Sequence, residues 1–145
     1  MTITRTLFIA LLPVAAGCGN PTGGSADMTM VTPATFTKVK ADVFKISCNF
    51  SSCHDATSKM GSLDLATDPY TALVDKPAVQ ATAKAEGLKL VVAGDLAKSF
   101  LNIKCTLPKA QDAKYGNRMP DTGQVLASDQ LATMQSWITN GAKND

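Results

Sequence analysis

Two cysteines and the single histidine of this chain lie close together in the segment SCNFSSCHDA. Cys48 and Cys53 are separated by four residues, and His54 follows Cys53 directly. Thiols and imidazoles bind metal ions, and thiols also form disulfides or covalent bonds to other groups. This segment is therefore the first candidate for a functional site.

Three kinds of chemistry are compatible with this segment. A Cys48–Cys53 disulfide would close a short loop, as exported proteins favour, but it does not require a neighbouring histidine. A zinc site would add Cys105 to these cysteines and His54, although Cys53 and His54 are adjacent. Covalent haem attachment would join two cysteines to one edge of a porphyrin, with the following histidine beneath the iron. The usual spacer for haem attachment is two residues, and here it is four.

A haem iron bound at this segment needs a second protein ligand or keeps an open position. The chain has one histidine, so the candidates are a methionine, a lysine or no ligand. Met60 lies too close to His54 in sequence, and the remaining methionines lie near the N-terminus or in a helical stripe. Met119 is left, and Pro120 after it restricts its backbone to extended conformations.

The N-terminal segment has the layout of an export signal. Residues 1–17 carry one positive charge, an apolar run too short to span a bilayer, and small residues before Cys18. The sequence AAGC resembles the lipobox of bacterial lipoproteins, which predicts a signal peptide over residues 1–17 and acylation of Cys18. Gly19 then predicts the periplasmic face of the outer membrane. Cleavage after Ala16, which would give a soluble periplasmic protein, is the alternative.

Composition separates a tether from one folded domain. Residues 18–34 are rich in Gly, Pro, Ser and Thr, which predicts a flexible tether, and residues 35–145 suit one domain. The 145-residue chain has 14 basic and 12 acidic residues, a net charge of +2, so nothing favours binding to nucleic acid. There is no Gly-rich phosphate loop and no nucleophile motif, so we do not expect an enzyme.

Hydrophobic periodicity predicts a mostly α-helical domain. A helix is expected over residues 35–47, with a buried stripe of four residues: Phe36, Val39, Val43 and Ile46. Ser128 is expected to cap a last helix that ends at Gly141. Its buried stripe comprises Leu131, Met134 and Ile138, with Trp137 at the border.

Between these helices the pattern is less regular. Asp68-Pro69 predicts the start of a short helix, and Gly94-Asp95 predicts the start of another. Leu88–Val92 is expected to be a short strand or an extended buried segment. Residues 106–127 are expected to form a loop, and residues 77–87 have no assignment.

The order of these features resembles a small class I c-type cytochrome of the planctomycete type, or its lipoprotein relatives. The resemblance spans residues 36–142 and rests on these motifs: Cys48…Cys53-His54, Gly61-Ser62-Leu63-Asp64-Leu65, Tyr70…Leu73-Val74, Val91-Val92-Ala93-Gly94-Asp95, Ser99-Phe100-Leu101, Met119-Pro120 and Trp137-Ile138…Gly141-Ala142.

The resemblance implies a cytochrome c-like fold, about four helices with long loops around one covalently attached haem c. Cys48 and Cys53 would carry the thioether bonds, His54 would be the proximal ligand of the iron and Met119 the distal one. The implied function is that of a periplasmic, lipid-anchored monohaem cytochrome that passes single electrons to a redox partner.

The resemblance also implies that the first and last helices pack together, with Val43 or Phe44 meeting Trp137. We interpret Lys104 and Lys109 as solvated surface lysines, with a small docking patch for a redox partner as the alternative.

A second function hypothesis is a haem-free exported lipoprotein of cytochrome-like fold, which acts as a structural or partner-binding module. The longer spacer and the additional thiol of Cys105 favour it.

Overall fold

The computed structural model describes residues 33–108 and 111–145, and this part of the chain is mostly α-helical, as predicted. The first helix, α1, joins three consecutive segments: Phe36–Val39, Lys40–Phe44 and Lys45–Ser47. The later elements are α2 (Pro69–Leu73), α3 (Ala81–Ala85), α4 (Phe100–Thr106), β1 (Gln111–Asp112), β2 (Gly116–Asn117) and α5 (Ser128–Thr139). A single 3-10 turn covers Met60–Ser62, and β1 pairs with β2 in antiparallel orientation.

Helix α1 begins with a side-chain cap and changes its helical type midway. The hydroxyl of Thr35 accepts a hydrogen bond from the N–H of Lys38 at 3.1 Å. Lys40–Phe44 is π-helical, with one more residue in the turn than an α-helix has. That residue rotates the buried stripe, so Phe44 is buried whereas Ile46 is 57% exposed. The predicted stripe is confirmed for its first three residues and wrong for Ile46.

The first and last helices pack together around buried aromatic rings. The ring of Phe36 lies 5.0 Å from that of Trp137, 6.3 Å from that of Phe44 and 5.2 Å from that of Tyr70, measured between centroids. Such ring pairs stabilise a core by more than the free energy that their buried area alone contributes. The predicted packing of these helices is confirmed, but the ring paired with Trp137 is that of Phe36 and not the predicted Phe44.

Helix α5 begins one residue away from the predicted cap. Ala127 is the N-cap and Ser128 the first helical residue, while the N–H of Ala127 donates to Oε1 of Gln130 at 3.2 Å. The expectation that Ser128 caps this helix is therefore wrong. Gly141 has a φ of 98°, the left-handed region that glycine enters most easily, so it follows the helix as predicted.

The chain between α1 and α4 is short-helical and extended. The carboxylate of Asp68 accepts from the N–H of Thr71 at 3.2 Å, so α2 begins at its predicted cap. Residues 77–87, which the sequence left unassigned, contain α3. Leu88–Val92 is the extended buried alternative rather than a regular strand, because it forms only isolated bridges, such as Val74 with Val91.

Helix α4 begins later than predicted. The buried hydroxyl of Ser99 donates to the carbonyl of Asp95 at 2.6 Å and accepts from the N–H of Val92 at 2.9 Å. These bonds hold residues 95–99 in a turn, and Phe100 becomes the first helical residue. The helix start predicted at Gly94-Asp95 is therefore wrong.

Candidate functional site

A cavity of about 440 Å³ lies beside the end of α1, α2, α4 and the loop after β2. Its wall is mostly apolar, and its size falls within the range of about 300–1,000 Å³ that is common for ligand pockets. Side chains on its wall that can do chemistry include Cys48, His54, Lys104, Cys105 and Met119. The apolar wall includes Leu63, Leu65, Leu73, Leu90, Phe100 and Leu101. Three of the four predicted cofactor-binding residues thus share one cavity.

The spacer between the two cysteines forms an outward loop. The N–H of His54 donates to the carbonyl of Cys48 at 3.2 Å, which closes the loop at its base. The N–H of Cys53 donates to the carbonyl of Phe50 at 2.9 Å, and the Phe50 side chain is 50% exposed. The longer spacer therefore does not keep Cys48 and His54 apart.

One nitrogen of the His54 imidazole, Nδ1, has no hydrogen-bond partner among the described residues. The backbone carbonyl of His54 accepts from the N–H of Leu65 at 2.8 Å, which fixes the position of the residue. The Nδ1 atom is buried, and no donor or acceptor in the described part of the chain reaches it. A buried polar atom without a partner is costly in free energy and points to a missing interaction.

Met119 reaches the cavity from the loop that follows β2. Its N–H donates to the carbonyl of Lys104 at 2.8 Å, which ties this loop to the last turns of α4. The Met119 side chain is half-buried and packs against the hydrophobic core, and Pro120 lines the same wall. The structure thus brings a thioether to the cavity that holds the imidazole.

Cys53 is the one predicted cofactor residue that is not on the cavity wall. It is half-buried, and its Sγ lies 3.9 Å from the hydroxyl of Ser52. Cys105, which the sequence could not assign, is buried and does line the cavity. Its position four residues after Leu101 was the available signal, because that spacing shares one face of a helix.

The two thiols on the cavity wall are held in their protonated form. Burial, and then the neighbouring Cys53 thiol, raise the pKa of Cys48 to about 12. Burial, followed by the charge of Cys48, raises the pKa of Cys105 to about 12. Neither is a reactive thiolate of the kind that serves as a nucleophile near neutral pH.

The other two chemistries considered for these cysteines find no support in the geometry. The described cysteines, Cys48, Cys53 and Cys105, are unpaired. Across residues 33–108 and 111–145, no three His, Cys, Asp or Glu side chains form a cluster suited to a metal ion. The proposed Cys3His zinc set is therefore not assembled.

Lys104 is an additional residue of this site. Its ammonium donates to the backbone carbonyl of Tyr115 at 3.1 Å and also to that of Asn117. Partial burial lowers the pKa of Lys104. The interpretation of Lys104 as a solvated surface lysine is wrong, whereas Lys109 lies outside the described residues. The sequence did contain a signal for Lys104, which lies four residues after Phe100 and so shares its buried face of the helix.

The predicted signal peptide over residues 1–17 and the acylated Cys18 lie outside the described residues, as does most of the predicted tether. In the part of the chain that the structure describes, no helix has the length and apolar character needed to cross a membrane.

No protein-family model, curated protein or solved structure matches this chain.

Proposed function

We propose that this chain is a monohaem c-type cytochrome that carries single electrons. The observation that carries the proposal is the cavity shared by Cys48, His54 and Met119. A thiol, an imidazole and a thioether are the groups that attach and ligate a c-type haem. Met119 comes from a distant part of the sequence, so its presence on this wall depends on the fold.

Three of the residues present, Cys48, His54 and Met119, suit such a cofactor, whereas Cys53 lies off the cavity wall. The imidazole of His54 is the only one in the chain, and its Nδ1 atom has no described partner. A histidine binds a metal through one ring nitrogen, and the half-buried ring of His54 lies on the cavity wall, where it would be available to iron. The apolar wall would exclude water from a bound macrocycle and leave few groups that compete for it.

Each proposed ligand has one role. Cys48 and Cys53 would carry the thioether bonds, His54 would be the proximal ligand and Met119 the distal one, within a cytochrome c-like fold. A haem supplies a one-electron couple between ferric and ferrous iron. Neutral ligands and an apolar wall favour the ferrous state, which has the lower charge, and so raise the reduction potential. With His54 and Met119 both bound to the iron, such a site would suit an electron carrier rather than an enzyme.

The proposed setting is the periplasmic face of a bacterial outer membrane. Residues 1–17 would be removed, Cys18 would carry the acyl chains, and residues 18–34 would tether the domain of residues 35–145. A protein partner would then deliver or receive the electron. The alternative setting is the soluble periplasm, after cleavage behind Ala16.

A second candidate function is that of a haem-free lipoprotein that binds a partner or serves a structural role. It is favoured by one specific observation, that Cys53 is absent from the wall on which Cys48 and Cys105 lie. Under this candidate the cavity would take an apolar group from the partner, and the thiols would have no ligand role.

The two candidates are separated by producing the full chain in a host that has a cytochrome maturation system. We expect an intact mass increased by one haem and the visible spectrum of a low-spin c-type cytochrome. A colourless protein whose mass contains no haem would refute the cytochrome proposal and favour the second candidate.

Cysteine variants of the full chain assign the attachment. We expect Cys48→Ala and Cys53→Ala each to lose one thioether bond, so that denaturing conditions release haem more readily. Cys105→Ala is the matched control, because it removes a cavity thiol that has no proposed bond to haem. Loss of covalent haem in Cys105→Ala but not in Cys53→Ala would contradict the assignment of Cys53.

A further inference from the structure

We propose that Lys104 positions Met119 for ligation and so determines how firmly the distal ligand is held. This inference rests on the proposed function, because a distal ligand requires haem. The carbonyl of Lys104 accepts from the N–H of Met119 at 2.8 Å, and its ammonium binds the carbonyls of Tyr115 and Asn117. Lys104 of α4 therefore bonds to Met119 and also to the residues that precede it in the chain.

The side chain of Lys104 is suited to this role by its burial and its partners. It is half-buried and lines the cavity, so water competes with its hydrogen bonds less than at the surface. A hydrogen bond from a charged donor is stronger than one between neutral groups. The ammonium has donors enough for both carbonyls, which in the folded chain belong to one short hairpin.

Helix α4 is itself fixed in the core, so Lys104 can hold the Met119 loop in place. Cys105, next to Lys104, is buried in the hydrophobic core that also contains Trp137 of α5. Arg118 adds a further bond from the loop, donating to the carbonyl of Leu107 at 3.2 Å. The Met119 loop is thus held against the core through backbone carbonyls rather than through packing of its own side chains alone.

The direct test replaces Lys104 with Met in the full chain. Lys104→Met keeps an unbranched stem and removes the donors, so the carbonyls of Tyr115 and Asn117 lose their charged partner. We expect a weakened sulfur–iron absorption band and an affinity of the ferric protein for added imidazole that rises by about tenfold or more. Lys104→Arg, which keeps charge and donors, is expected to restore both properties.

Two further variants complete the design. Lys84→Met removes an exposed lysine of α3 and is expected to leave the band and the imidazole affinity unchanged. Lys104→Gln keeps an amide donor and replaces Lys104→Met if that variant does not fold; we expect an intermediate imidazole affinity. Near-ultraviolet circular dichroism of Trp137 reports whether each variant retains its core.

Hydrogen exchange tests, independently of haem, whether Lys104 holds Met119 in place. The amide of Met119 is expected to exchange about tenfold faster, or more, in Lys104→Met than in the wild type. If the wild-type protein contains no haem, the proposed function is refuted. Exchange at Met119 would still test whether Lys104 holds Met119 in place. An unchanged band and imidazole affinity in a haem-loaded, folded Lys104→Met variant would overturn the inference and leave the cytochrome proposal standing. Unchanged exchange at Met119 would overturn it as well.

Discussion

At the scale of single residues, the cavity wall is mostly apolar and carries thiols, an imidazole, a thioether and the ammonium of Lys104. Burial keeps Cys48 and Cys105 protonated, with pKa values raised to about 12. His54 and Met119 share this wall. The proposed haem would therefore meet a mostly apolar wall whose thiols are not acid–base groups near neutral pH.

The methionine ligand is tested by Met119→Ala. In the haem-loaded protein we expect complete loss of the sulfur–iron absorption band. We also expect a lower reduction potential, because a thioether ligand would stabilise ferrous iron and its loss removes that stabilisation. Covalent haem content should stay at the wild-type level. Visible spectroscopy and a redox titration measure both properties.

Met60→Ala is the matched control for that experiment. Met60 also lines the cavity, but its side chain is 57% exposed and it lies close to His54 in sequence. We expect this variant to keep the sulfur–iron band. If Met60→Ala abolishes the band and Met119→Ala does not, Met60 is the ligand and our assignment is wrong.

At the scale of elements, the π-helical turn of α1 decides which residues face the core just before the Cys48–His54 segment. The N–H groups of Cys48 and Asn49 both donate to the carbonyl of Phe44, at 3.0 and 2.9 Å. Gln130 of α5 donates to the carbonyl of Asp42 inside the π-helical segment at 2.6 Å. The wider turn is therefore supported by another helix, and it leads directly into the site.

The rotated face of α1 predicts opposite results for two apolar residues. Phe44→Ala should lower the free energy of unfolding by about 3–5 kcal/mol, because the ring is 1% exposed and its removal leaves a cavity. Ile46→Ala should change it by less than about 0.5 kcal/mol, since that side chain is exposed. Chemical denaturation of both variants measures the difference. Equal losses of unfolding free energy in the two variants would mean that α1 is a regular α-helix without the π-helical turn.

At the scale of the whole molecule, the described domain joins its beginning to its end. The N–H groups of Phe36 and Thr37 donate to Asp145, at 2.8 Å to its side chain and 2.9 Å to its carbonyl. Nε1 of Trp137 donates to the carbonyl of Lys143 at 2.8 Å. The start of α1 and the segment after α5 therefore stabilise each other, with the cavity formed by the chain between them.

The proposed membrane anchor is tested by Cys18→Ser in the full chain. We expect the protein to move from the membrane fraction to the soluble periplasmic fraction, because acyl chains on this residue would supply the attachment. Cell fractionation measures the distribution. Cys105→Ser is the matched control and should stay with the membrane; a wild-type protein found in the soluble fraction would instead favour cleavage behind Ala16.

Local signals in the sequence determined much of the helical framework. The periodic stripe of α1, the Asp68 cap and the position of Gly141 were predicted because each depends on neighbouring residues only. The Cys48–His54 segment was recognised for the same reason. The start of α4 was predicted wrongly for another reason: the Ser99 side chain bonds to the nearby Val92 and Asp95, and hydrophobic periodicity contains no information on such bonds.

Only the tertiary structure decided which groups share the cavity. Sequence spacing nominated Met119 by elimination, but its position on the same wall as His54 follows from packing between distant segments. Spacing indicated that Cys105 shares a helical face with Leu101 and Lys104 with Phe100, but only the packing of α4 brought them to the cavity, and Cys53 proved to lie off the wall. Periodicity is a local property of a chain, whereas a cavity depends on how its separate elements pack, and no short-range pattern contains that information.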